Sequence, residues 1–121
     1  MPRVIHFDLM SEQPEKLVEF CAAVFGWKIF KWDGPMEYWL VGTGDKTQAG
    51  IDGGIGRGKP VDQVVLTLDA ANLDAMLAKA VAAGAKVVQP RGPIPGVGWF
   101  GAVRSPDGNL FGLMQDDPAA K

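Results

Sequence analysis

The chain has 121 residues, 47% hydrophobic and 21% charged, a composition that suits one globular domain able to bury a core without disulfides. Its net charge of −2, with no cluster of more than two basic residues, argues against nucleic acid or an anionic membrane as the main partner. Cys21 is the only cysteine and His6 the only histidine, which rules out an intrachain disulfide and a Cys/His zinc centre.

The first ten residues, MPRVIHFDLM, carry one arginine and no apolar stretch of the secretory kind, and apolar runs elsewhere are far too short to span a bilayer. A cytoplasmic protein is expected. Residues 4–9 alternate, with Ile5, Phe7 and Leu9 on one face and Val4, His6 and Asp8 on the other, the period of a strand. Residues 11–14 supply helix-start chemistry, with Pro14 tolerated in a first turn and Glu15 favourable there. Leu17, Phe20, Cys21, Val24 and Phe25 follow at helical spacing and predict one apolar stripe. Gly26 is placed to end that helix. Residues 27–32, 38–41 and 49–55 read as three strands, separated by DGP and GTGD turn signals.

The same order then recurs. Residues 63–68 form a strand in which Gln63, Val65 and Thr67 share a face. Leu73, Met76, Leu77, Ala80 and Val81 repeat the helical offsets, and Gly84 closes the helix as Gly26 closes the first. Residues 86–88, 99–104 and 110–114 are strand-like. Residues 90–98 hold three prolines and three glycines and read either as a lid over a binding site or as a long connection. Residues 116–121 look frayed.

Two helices for about eight strands cannot build a doubly wound parallel sheet. The expected class is α+β: two tandem βαβββ modules, residues 1–58 and 59–121 of a single domain, whose sheets curl around a shared cleft.

The segments VIHFDL, LVEFCAAVFGWKIF, GGI, VVLTLD, PIPGVGWFG and SPDGNLFGLMQ together resemble the vicinal-oxygen-chelate superfamily of glyoxalases, bleomycin-resistance proteins and dioxygenases. The likeness is nearest to its glyoxalase-like branch without an assigned activity. The resemblance implies a four-ligand metal centre in the family's enzymes, with two ligands from each module. Carried across, the first His falls on His6 and the first Glu at about Asp52. The second His falls on Gln63, and the second Glu on Gly112. Gln115 lies three residues further on, on the opposite strand face, and does not replace the missing carboxylate. Two-His, two-carboxylate chemistry therefore lacks its parts. No metal or other cofactor is expected, and no catalytic residue is assigned.

The residues expected to meet a ligand are His6, Asp8, Trp39, Asp52, Gln63, Trp99 and Arg104. His6, Asp8, Gln63 and Thr67 are more polar groups than a dry core tolerates unpaired, so they either bond one another or line a wet pocket. His6 alone reads equally as a hydrogen-bonded structural histidine paired with Asp8 or Gln63. Trp39 and Trp99 are pocket walls or core residues. Arg104 is an anion binder or a surface ion pair. Cys21, on the helix stripe, reads as an inert buried thiol.

The leading expectation is metal-free binding of a small organic molecule, as in the family's antibiotic-sequestering members. The alternatives are a glyoxalase- or dioxygenase-type metal enzyme with a non-standard ligand set at His6, and metal-free acid/base catalysis by His6 or Asp8. Pairing as a homodimer is compatible with four tryptophans in so short a chain.

Overall fold

A computed structural model describes residues 2–59 and 64–121. The described residues form eight strands and two helices in the order strand–helix–three strands, twice over. The architecture is α+β. The chain divides into two compact units, His6–Val65 and Leu66–Lys121, the latter including Met1–Ile5.

In the first unit, strand β1 (Val4–Ser11) leads to helix α1 (Pro14–Phe25), followed by β2 (Lys28–Lys31), β3 (Tyr38–Gly42) and β4 (Gly53–Arg57). The strand order is β2-β3-β4-β1. β4 returns parallel to β1, and β2, β3 and β4 pair antiparallel. Alternation sends Phe7 and Leu9 to the helix side, where they pack with Trp39, Val41 and the fully buried Ile55. Burying a side chain of that size contributes about 1.5–3 kcal/mol.

Pro14 opens α1, and Gly26 closes it in the left-handed conformation, φ 72°, donating its N–H to the Ala22 carbonyl. The predicted apolar stripe is only partly the buried one. Leu17, Val18 and Cys21 face the sheet, whereas Phe20, Val24 and Phe25 are more than half exposed. Phe20 and Phe25 meet edge to face at 5.7 Å, and Phe25 leans on Trp27 at 5.2 Å. The helix is thus rolled toward Val18, and its aromatic residues satisfy each other locally. Burial raises the Cys21 thiol above its ordinary pKa, as expected of an inert thiol.

In the second unit, β5 (Val64–Asp69), α2 (Leu73–Ala82), β6 (Lys86–Ile94), β7 (Gly98–Arg104) and β8 (Leu110–Asp116) follow. The order is β5-β8-β7-β6, with β5 and β8 parallel. Leu73, Val103 and Leu113 form its core with Leu68, Leu77 and Phe111 around them. Asn72 caps α2 by accepting from the Ala75 N–H.

Two sequence expectations change here. Residues 90–94 are not a lid: β6 runs through them to Ile94 and pairs with β7 across two register shifts, between Val87 and Gln89 and between Gln89 and Gly92. Prolines are tolerated because β6 is an edge strand with irregular pairing. A tight turn with Gly96 at φ 74° completes the hairpin. Nor is the C-terminus frayed. Ala120 is buried and accepts from the Gly96 N–H, while the Asp117 N–H donates to the Val97 carbonyl.

Candidate functional site

His6 and Asp8 lie on the β1 face opposite Phe7 and Leu9, and both are partly buried. The third member of their cluster is Tyr38, the chain's only tyrosine, at the start of β3. Its phenol donates a hydrogen bond to Asp8 Oδ1. His6 Nε2 sits 2.8 Å from Tyr38 Oη and 3.2 Å from Asp8 Oδ1. Burial, then the neighbouring Asp8 charge and hydrogen bond, pushes the Tyr38 phenol far above its ordinary pKa. Tyr38 therefore stays protonated and acts as a donor at any physiological pH.

Glycine makes this contact sterically accessible. Asp8 stands opposite Gly54 in the β1–β4 register, and Tyr38 stands opposite Gly56 in the β3–β4 register. The Tyr38 ring crosses β4 diagonally over Gly54, and a Cβ there would lie 1.7 Å from the phenol oxygen and 1.9 Å from Cζ. Only glycine allows so close an approach.

The second unit holds the same arrangement with different chemistry. Thr67 stands opposite Gly112, and Phe100 opposite Met114. A Cβ on Gly112 would lie 2.7 Å from Thr67 Oγ1 and 2.9 Å from the Phe100 ring. Asp8, Gly54 and Tyr38 thus correspond to Thr67, Gly112 and Phe100. Phe100 has no hydroxyl to offer. Thr67 Oγ1, on a residue only 3% exposed, has no hydrogen-bond partner among the described residues.

This register also moves two of the metal-ligand correspondences. The counterpart of Gly112 in the first unit is Gly54, not Asp52. Asp52 instead serves the β3–β4 loop, its Oδ1 accepting from the Thr43 N–H at 2.9 Å. Two residues before Thr67 stands Val65, so Val65, not Gln63, holds the place His6 holds before Asp8. Gln63 lies outside the described residues. The four positions are then His6, Gly54, Val65 and Gly112, and three of them carry no donor side chain. A two-imidazole, two-carboxylate centre does not fit these residues. Among the described residues, no three His, Cys, Asp or Glu side chains gather as a metal-holding group.

The other expected site residues are placed elsewhere. Trp39 belongs to the core with Val41 and Ile55, because neighbouring strand residues point to opposite faces and Tyr38 takes the other one. Trp99 packs against the α2-side core and donates its indole N–H to Asp117 Oδ2 at 2.9 Å. Arg91, paired with Asp74 at 2.9 Å, lies 4.3 Å over the Trp99 ring. Arg104 donates to the Gly108 carbonyl at 2.8 Å and braces the β7–β8 turn. Of the expected residues that are described, the structure brings together only His6 and Asp8, and it adds Tyr38.

The comparisons with known proteins agree with this architecture. A family model described as a glyoxalase-like domain matches residues 4–114, and the chain belongs to that family. No match was found among curated proteins. Among solved structures, a hypothetical protein from Bacillus halodurans aligns at a TM-score of 0.71 and 10% identity, over 99% of this chain and 98% of that one. A glyoxalase/bleomycin resistance protein/dioxygenase superfamily member from Vibrio splendidus aligns at 0.67 and 18%, over 97% and 100%. Methylmalonyl-CoA epimerase from Mycobacterium tuberculosis aligns at 0.71 and 12%, over 95% and 88%. At these identities the likeness establishes the fold of the vicinal-oxygen-chelate superfamily.

Proposed function

We propose that the protein is a small-molecule-binding member of the glyoxalase-like family with a degenerate metal site, its ligand meeting the His6–Asp8–Tyr38 face of the first unit. The observation that carries this reading is the cluster itself. Three polar side chains on two strands are held together, partly buried, and given room by Gly54. A core has no need of such a group, and ordering it costs side-chain entropy. The glycines and valine at the other three ligand positions support binding without a resident metal. A structural neighbour is described as a methylmalonyl-CoA epimerase in complex with methylmalonyl-CoA, so this fold accommodates a small organic ligand elsewhere. The reading includes an intracellular, paired protein: large apolar side chains such as Phe30 are left exposed, as a second copy would require.

The test is metal analysis of the purified protein, with Ni²⁺, Zn²⁺, Mn²⁺ and Fe²⁺ titrated against wild type and His6→Ala, followed by a ligand screen on both. The expected result is no stoichiometric, His6-dependent metal, together with ligand binding that His6→Ala abolishes. Stoichiometric metal lost in His6→Ala overturns the reading in favour of a metal-dependent enzyme.

A further inference from the structure

The hydrogen atoms within the cluster can be counted. Tyr38 has one hydroxyl hydrogen, and it goes to Asp8 Oδ1. The carboxylate has none to give. His6 Nε2 therefore faces two oxygens, Tyr38 Oη at 2.8 Å and Asp8 Oδ1 at 3.2 Å, that can only accept from it. Nε2 must carry a hydrogen. A neutral imidazole has one N–H, so Nδ1 is left with a bare lone pair. Among the described residues nothing bonds Nδ1, and the His6 side chain keeps 31% of its exposure.

We propose that His6 presents Nδ1 as a hydrogen-bond acceptor, its tautomer set by the Asp8–Tyr38 pair, and that the ligand is a small molecule bringing an O–H or N–H donor to it. This rests on the site reading above and narrows it to a ligand class. A carboxylate or phosphate group is disfavoured, since Asp8 stands beside the ring and would repel it. The same lone pair is the proton acceptor that metal-free chemistry at His6 would require.

Because His6 is the only histidine, ¹⁵N NMR of ring-labelled protein reads this one imidazole without assignment ambiguity. The experiment records the neutral tautomer in wild type, Tyr38→Phe and Asp8→Ala, then titrates wild type with phenol and with anisole. These probes are similar in shape, but only phenol donates. The Nε2–H form is expected in wild type and in Tyr38→Phe, where Asp8 still accepts. Asp8→Ala frees the phenol hydrogen for Nε2 and shifts the ring toward Nδ1–H. Phenol should shift the Nδ1 resonance and bind about tenfold tighter than anisole, the ratio one hydrogen bond supplies. An Nδ1–H tautomer in wild type overturns the inference whatever binds. Equal binding of both probes at the cluster, with Nδ1 unmoved, overturns it and leaves the site reading standing. No perturbation of the cluster by either probe overturns both.

Discussion

Each unit carries an aromatic ring reaching over a glycine toward the first strand of its module, and the two differ by one oxygen atom on the ring. In the first unit Tyr38 passes over Gly54 and meets Asp8, so that hydroxyl and carboxylate bond each other. In the second, Phe100 passes over Gly112 toward Thr67, and the threonine hydroxyl is orphaned. Duplicated backbone geometry is thus compatible with quite different demands on the side chains. A buried polar group whose partner has been lost carries a desolvation cost that its paired counterpart does not.

Substituting the two glycines puts the greatest strain on this comparison. Gly54→Ala should destabilise by about 3 kcal/mol, because its Cβ collides with a ring that Asp8 holds in place. Gly112→Ala should cost about 1–2 kcal/mol, since Phe100 is not tethered by a hydrogen bond. Urea denaturation midpoints decide it, and equal losses would mean that the hydroxyl is irrelevant to the packing. Tyr38→Phe turns the first arrangement into the second and should cost about 1 kcal/mol by removing a donor from Asp8. No loss in thermal melts would show that His6 alone satisfies the carboxylate.

The reverse experiment is Thr67→Val, which removes the orphaned hydroxyl at similar shape and should stabilise by up to about 1 kcal/mol. Destabilisation instead would reveal a bound water or ligand partner for Oγ1. The smallest effect distinguishes the surfaces. Arg57 binds Glu15 at 2.7 Å and Glu37 at 2.9 Å, whereas Arg91 in the other unit pairs with Asp74 and stacks on Trp99. Hydrogen bonds lower the pKa of both glutamates, to Glu15 from its own backbone and Arg57, and to Glu37 from Arg57. Their contribution is therefore present above their ordinary pKa of 4.5 and lost as pH falls through the lowered values. Arg57→Met should flatten the acid limb of the stability–pH curve slightly, as exposed pairs allow. An unchanged limb would assign acid sensitivity to other carboxylates.

Much of the fold was legible because periodicity is a local property. The duplicated strand–helix order, Gly26 as a helix end, and the His6/Asp8 face all follow from spacing alone. The helix roll did not, because Phe20 and Phe25 find each other on the surface and the spacing cannot distinguish that from burial. The prolines of β6 read as a loop, since edge position is a property of the sheet and not of the segment. Tyr38 was missed as a site residue because its partner lies 30 positions away. The available signal was the glycine-rich strand GGIGR, whose Gly54 no turn requires. Asp52 follows from the family resemblance and the strand register moves that position to Gly54, while Trp39 takes the core alternative of its two readings.

Gln115 has a role unrelated to ligands. Its side-chain oxygen, near the end of the last strand, accepts from the Leu73 N–H in the first turn of α2 at 2.8 Å. Arg3, near the chain's start, exchanges bonds with Asp69 in the same unit. The unit is therefore closed by bonds between residues 66 and 42 positions apart, Arg3 with Asp69 and Leu73 with Gln115. Each bond must overcome the closure entropy of a long loop before it contributes, which makes this assembly a late event in folding.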